Sequence, residues 1–140
     1  NPHIKKSFSE KSVAPSYRSE TNLLTPEVTK TVLDWMESVV EEGSGKGVKI
    51  DNFRIGGRTG TSDQTEDGRT YTSKICSFVA ILPIEKPKYV VLVAIDGPRK
   101  PYAYGSTVAV PVAKKIIESL IVIDKLLPVN SLDTFSSEKD

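Results

Sequence analysis

The chain has 140 residues and a mass of 15.3 kDa, enough for one domain and hardly two. Hydrophobic residues make up 38% and charged residues 26%, a globular balance, and 19 Lys+Arg against 18 Asp+Glu give a net charge of +1. So even a balance argues against nucleic-acid binding by bulk charge; the lone Cys76 excludes an internal disulfide, and the lone His3 excludes a histidine-rich metal centre or a triad of interior histidines.

Residues 1–24 are polar and without a clear period, and allow only a short strand near His3–Phe8. No apolar segment follows Asn1-Pro2-His3-Ile4-Lys5-Lys6 as a signal peptide requires, and apolar runs such as Tyr89–Ile95 fall far short of the ~20 residues of a membrane helix. A helix then begins, with Thr25 as cap, Pro26 at the first helical position and Glu27 in the first turn. Val28, Val32, Trp35, Met36, Val39 and Val40 share one face, and that stripe is expected to be buried. Gly43 is expected to end the helix in the left-handed conformation. The stretch Gly43-Ser44-Gly45-Lys46-Gly47 superficially suggests a phosphate loop, but its spacing is wrong and the helix precedes the glycines, so it reads as a helix-to-strand turn.

Three strands are expected next. Phe53–Thr61 is glycine-rich, with Gly56, Gly57 and Gly60 marking close approach by a ligand or another backbone. Lys74–Leu82 and Lys88–Asp96 are nearly continuous in apolar residues and are expected to be covered on both faces. Pro83–Pro87 is short enough for a hairpin, whereas the polar Ser62–Ser73, turning at Asp67-Gly68, reads as a longer loop. A last helix is predicted from about Ser106 to Ile123, with Val108, Val112, Ile116, Leu120 and Ile123 along one stripe, widened by Ala109, Ala113, Ile117 and Ile121. From Asp124 the chain reads as a polar, frayed tail. Cys76, Trp35 and Met36 read as core, His3 as an incidental surface residue, and Tyr102 and Tyr104 as packing residues rather than the rim of a site.

This order of segments resembles the C-terminal part of the transpeptidase domain of class B penicillin-binding proteins. The resemblance rests on Val40-Glu41-Glu42-Gly43-Ser44-Gly45-Lys46-Gly47; on Gly57-Arg58-Thr59-Gly60-Thr61-Ser62, which resembles the family's Gly-Lys-Thr-Gly-Thr-Ala box; and on Ser77–Pro83, Tyr89–Asp96 and Tyr104–Val112. Pro2-His3-Ile4 also resembles the family's segment before the first helix, so the resemblance spans residues 1 to about 124, followed by the tail at 125–140. It implies an α+β fold: an antiparallel sheet of at least three strands with packed helices, with two further strands supplied from elsewhere in the domain.

The resemblance also implies a chemistry. The family's serine attacks the penultimate carbonyl of a D-Ala-D-Ala stem peptide, an amine of a neighbouring peptide resolves the acyl-enzyme, and β-lactams trap the serine. By that resemblance the Thr59 and Thr61 hydroxyls bind the substrate carboxylate and Arg58 supplies positive charge behind them. The Thr61 backbone N–H is one oxyanion donor, and Gly60 leaves room for the substrate along the strand. No metal or cofactor is implied. Two features depart from the family pattern. Arg58 stands where the box begins with Lys, with pairing to Asp63, Glu66 or Asp67 as its bland alternative. The Ser-x-x-Lys and Ser-x-Asn motifs are also missing before the box; Ser136-Ser137-Glu138-Lys139 follows it and reads as chance.

The expectation is therefore a fragment without its own nucleophile. Its partners would be the N-terminal portion of the same protein, stem peptides and β-lactams. Its place would be the extracytoplasmic face of a membrane, through an anchor in that N-terminal portion. The rival is a non-catalytic periplasmic binding or regulatory module that keeps the carboxylate-binding strand.

Overall fold

The computed structural model describes residues 23–66, 69–99 and 102–129. The strand expected near His3–Phe8, the Asp67-Gly68 turn and the Ser136–Lys139 string lie outside them. The order is helix α1 (Pro26–Glu41), a short 3₁₀ turn (Lys46–Val48), strands β1 (Gly56–Glu66), β2 (Arg69–Leu82) and β3 (Tyr89–Asp96), a π-type turn (Gly105–Ala109) and helix α2 (Val110–Ile123).

Helix α1 starts as its sequence predicts. The Thr25 hydroxyl accepts the Val28 N–H at 3.4 Å, and Pro26, which lacks an N–H, occupies the first turn where none is needed. Its end differs from expectation. Glu42 closes the helix, donating its N–H to the carbonyls of Ser38 and Val39, and Gly97 is the only described glycine with positive φ. Gly43 is glycine for space: a Cβ there would stand 2.9 Å from the Val39 carbonyl oxygen.

The three strands form one antiparallel sheet in the order β1-β2-β3. β1 begins at Gly56 rather than Phe53, because Ile50–Phe53 closes a tight turn, with the Phe53 N–H on the Ile50 carbonyl at 3.2 Å and Asn52 at φ 66°. Ser62–Ser73, expected as a loop, is mostly strand: after an irregularity between Asp63 and Thr65 the pairing continues to Glu66↔Arg69. Only Asp67 and Gly68 separate those partners in sequence, the spacing of a two-residue hairpin. Arg54 leads into β1 and is clamped to α1: its Nε and Nη2 donate to the two carboxylate oxygens of Glu37 at 2.7 and 2.6 Å.

The core lies on one face of the sheet. Phe78, Ala80 and Leu82 of β2 and Val91 and Val93 of β3 meet Val110, Ala113 and Ile117 of α2, with Val40 and Val48 closing one end. Fully burying each of the larger side chains contributes about 1.5–3 kcal/mol. The opposite face is covered only near Gly56, where Met36 of α1 and Ile84 stand over the strand. Val90 is 71% exposed, Leu92 69% and Ile75 40%, which corrects the expectation that both faces of these strands are covered.

Both helix stripes need correction too. On α1, Leu33, Met36, Glu37 and Val40 turn toward the chain's own fold, whereas Val28, Val32 and above all Trp35, 68% exposed, do not. On α2 the buried line is Val110, Ala113 and Ile117, continuing from Ala109 of the preceding turn; Val112, Ile116 and Ile123 are exposed. Each helix is apolar over a wider arc than one contact covers, so the periodicity marks a helix without choosing the half that this chain buries. After α2 the chain does not fray at once. The Leu126 N–H reaches the Ile121 carbonyl at 3.1 Å, Leu126 packs on the core, and the Val129 N–H reaches the Asn52 carbonyl at 2.8 Å. Residues 130–140 lie outside the described residues.

Candidate carboxylate-binding strand

Alternation along β1 divides the box between two faces. Thr59 and Thr61 pair with Phe78 and Cys76, on the face that carries the core and α2. Arg58 and Gly60 pair with Val79 and Ser77, on the opposite face, which this chain covers only near Gly56. β1 is an edge strand of the described sheet, and α1 packs along it where Met36 and Glu37 approach Gly56.

Each threonine hydroxyl is held by a neighbour from outside the strand. The Gly105 N–H donates to Thr61 Oγ1 at 3.0 Å. Ser44 Oγ and Thr59 Oγ1 lie 2.7 Å apart, a hydroxyl pair in which either can donate. The Gly105 contact requires glycine: a Cβ there would stand 2.4 Å from the Ser77 carbonyl oxygen and 2.7 Å from that of Gly60. The turn that follows carries its own bond, the Thr107 hydroxyl accepting the Tyr104 N–H at 3.0 Å. Gly60 is under less pressure, since its Cβ would meet only Ser77 Oγ, at 2.5 Å, on a side chain free to rotate.

The charges are also divided. Arg58 is exposed and makes no ion pair among the described residues, and Asp63 alternates onto the other face. On the threonine face the cation is Lys74, opposite Asp63, with its ammonium 5.0 Å from the centre of the Tyr104 ring. Tyr102, 84% exposed, and Tyr104, 46% exposed, are not buried as packing residues would be; Tyr104 is the neighbour of Gly105, whose N–H meets Thr61. Cys76 is fully buried, as expected of a core residue.

All four box residues therefore sit on one edge strand. Sequence reasoning missed Ser44, Gly105 and Lys74. The glycines flanking Ser44 were a usable signal for a backbone pressed close to its neighbours; nothing in the sequence placed Lys74 on the threonine face.

An edge strand of this kind, flanked by a terminal helix and a glycine turn, occurs in known proteins. The family model described as the penicillin-binding protein transpeptidase domain matches residues 1–118. The chain is 47% identical over 104 residues to a peptidoglycan D,D-transpeptidase FtsI homolog of Chlorokybus atmophyticus, covering 73% of this chain and 15% of that protein. It is 34% identical over 100 residues to stage V sporulation protein D of Bacillus subtilis, covering 71% of this chain and 16% of that one. In structure it is similar to the apo transpeptidase domain of Burkholderia pseudomallei penicillin-binding protein 3, with a TM-score of 0.66 and 26% identity, over 74% of this chain and 32% of that one. The chain belongs to the transpeptidase domain family of class B penicillin-binding proteins. It spans under one fifth of the length of these two curated relatives.

Proposed function

We propose that this chain is the part of a peptidoglycan D,D-transpeptidase that anchors the substrate's terminal carboxylate, in a protein that cross-links stem peptides and is acylated by β-lactams. The observation that carries this reading is the pair of hydroxyls, Thr59 and Thr61, side by side on one face of an edge strand, each held by a group behind it. A carboxylate needs converging donors, and an edge strand accepts an extended peptide by strand addition. Arg58 supplies positive charge from the other face of the strand. The Thr61 backbone N–H is one oxyanion donor, and the serine and its lysine base come from the remainder of the protein.

The uncovered surfaces support that division of labour. The sheet leaves Val90, Leu92 and Ile75 in solvent, and Arg58 lies on that same face at its β1 edge. β3 is the other edge of the described sheet, open to the further strands the family fold supplies. The N-terminal portion of the protein covers these surfaces and brings the nucleophile to Arg58. A membrane anchor in that portion holds the domain outside the cytoplasm; among the described residues no helix is long and apolar enough to cross a membrane.

The test is the rate at which a reporter penicillin acylates the complete protein carrying Arg58, Arg58→Lys or Arg58→Ala. A charge-assisted hydrogen bond is worth about 1.5–3 kcal/mol, so Arg58→Ala should slow acylation tenfold to a hundredfold, with most of the rate kept by Arg58→Lys. Equal rates for all three would remove Arg58 from the site.

A further inference from the structure

Ser44 lies fourteen positions before Arg58 and outside the box, yet its hydroxyl is the described hydrogen-bond partner of the Thr59 hydroxyl, at 2.7 Å. Its place is fixed by backbone. The N–H groups of Gly43 and Gly45 both donate to the Val39 carbonyl, at 3.1 and 3.0 Å, which folds the turn back onto the end of α1. Neither glycine has room for more: a Cβ on Gly43 would stand 2.9 Å from that carbonyl oxygen, and one on buried Gly45 would press on Val39, Val40 and the Phe78 ring. Phe78 is the residue paired with Thr59 across β1 and β2. One core side chain thus sets the height of both the turn and the strand, and the two hydroxyls meet above it.

The same arrangement occurs at the neighbouring threonine with a different donor. A backbone N–H can only donate, so the Gly105 N–H occupies a lone pair of Thr61 Oγ1 and leaves the Thr61 proton to point elsewhere. A serine hydroxyl can do the same for Thr59. With an anion above the strand, the favourable order is Ser44 O–H to Thr59 Oγ1, and Thr59 O–H to the anion, a relay in which each bond polarises the next.

We propose that Ser44 is a positioning residue of the carboxylate site: it donates to Thr59 and so commits the Thr59 hydroxyl, as Gly105 commits that of Thr61, to donating toward a bound carboxylate. This rests on the carboxylate reading of the strand. It predicts a contribution specific to the ligand's negative charge, which a merely structural role for the turn would not give.

The experiment compares acylation of the complete protein by a penicillin and by its methyl ester, which keeps the reactive ring and removes the charge. The unsubstituted protein is expected to prefer the acid. Ser44→Ala is expected to lower that preference about tenfold, chiefly by raising the half-saturating concentration of the acid, with the ester little affected. Ser44→Thr should restore the preference and the isosteric Ser44→Val should not, a pair that keeps the test intact should alanine disturb the turn. If the unsubstituted protein takes acid and ester alike, the carboxylate reading fails and this proposal with it. If it discriminates and Ser44→Ala and Ser44→Val discriminate equally well, the role of Ser44 alone is overturned.

Discussion

Gly60 and Gly105 face each other across the same strand and are glycine for different reasons. A Cβ on Gly105 collides with backbone oxygens that cannot yield, whereas one on Gly60 meets only a rotatable serine hydroxyl. Gly105→Ala should therefore destabilise the fold by about 1–3 kcal/mol, as overpacking does. Gly60→Ala should leave the thermal midpoint nearly unchanged while slowing acylation of the complete protein by a penicillin about a hundredfold, the effect of displacing a ligand by ~1 Å. Thermal melts and acylation rates on the two variants separate the cases; a Gly60→Ala protein that melts early and acylates normally would show that this glycine serves the fold. The box was legible in the sequence because its residues are consecutive. Ser44 and Gly105 were not, because their contacts to Thr59 and Thr61 span 15 and 44 positions and follow from how α1 and α2 close on the sheet.

At the scale of elements, helix existence followed from caps and periodicity, while the buried face did not. Trp35 shows why. It falls within the apolar arc of α1, yet α1 meets β1 through Met36 and Glu37 and sends Val40 into the core, and the indole is left 68% exposed. Trp35 is the only tryptophan, so its fluorescence reports this face cleanly. Acrylamide should quench it readily in the 140-residue chain, and much less once the N-terminal portion of the protein is present, the Trp35→Phe variant serving to subtract other tryptophans. Equal quenching in both would mean that the face stays in solvent.

The end of α2 makes a second test. Asp124 accepts hydrogen bonds from Lys88, at the edge of β3, and from Tyr89; these hold its carboxyl below the usual carboxylate range, while the same contact raises the Lys88 ammonium. A lowered carboxyl stabilises the fold above its unfolded pKa and loses that contribution as pH falls through the folded one; a raised ammonium does so below its unfolded pKa and loses it as pH rises through the folded one. The tie therefore acts across the neutral range and fails at both ends. Asp124→Asn should lower the thermal midpoint at neutral pH, and the difference should shrink as pH falls through the lowered carboxyl value. A difference that persists unchanged into acid would assign the effect to something other than the Asp124 charge.

For the whole molecule, the three uncovered apolar surfaces belong to elements that are otherwise well formed: the outer face of the sheet, the Trp35 side of α1 and the Val112–Ile116 side of α2. A domain that completes its own core does not leave strand residues such as Val90 and Leu92 in water, and exposed apolar area of this extent marks surfaces made for covering. The α+β class was readable from element order; the need for a cover was not, because a strand apolar on both faces looks the same whether its second face is buried by its own chain or by another part of the protein. The central claim is that this chain anchors the substrate while the nucleophile lies elsewhere in the protein. Thr59, Thr61, Ser62 and Ser73 carry hydroxyls, but a hydroxyl is a poor nucleophile until a base takes its proton, and a guanidinium such as that of Arg58 offers only donors and no acceptor. Intact-protein mass spectrometry after incubation with a reactive penicillin tests this directly. The account predicts no covalent adduct on the 140-residue chain, and one stoichiometric adduct on a serine outside it when the complete protein is treated; a stoichiometric adduct on any serine or threonine of this chain, or a complete protein that stays unlabelled, would contradict it.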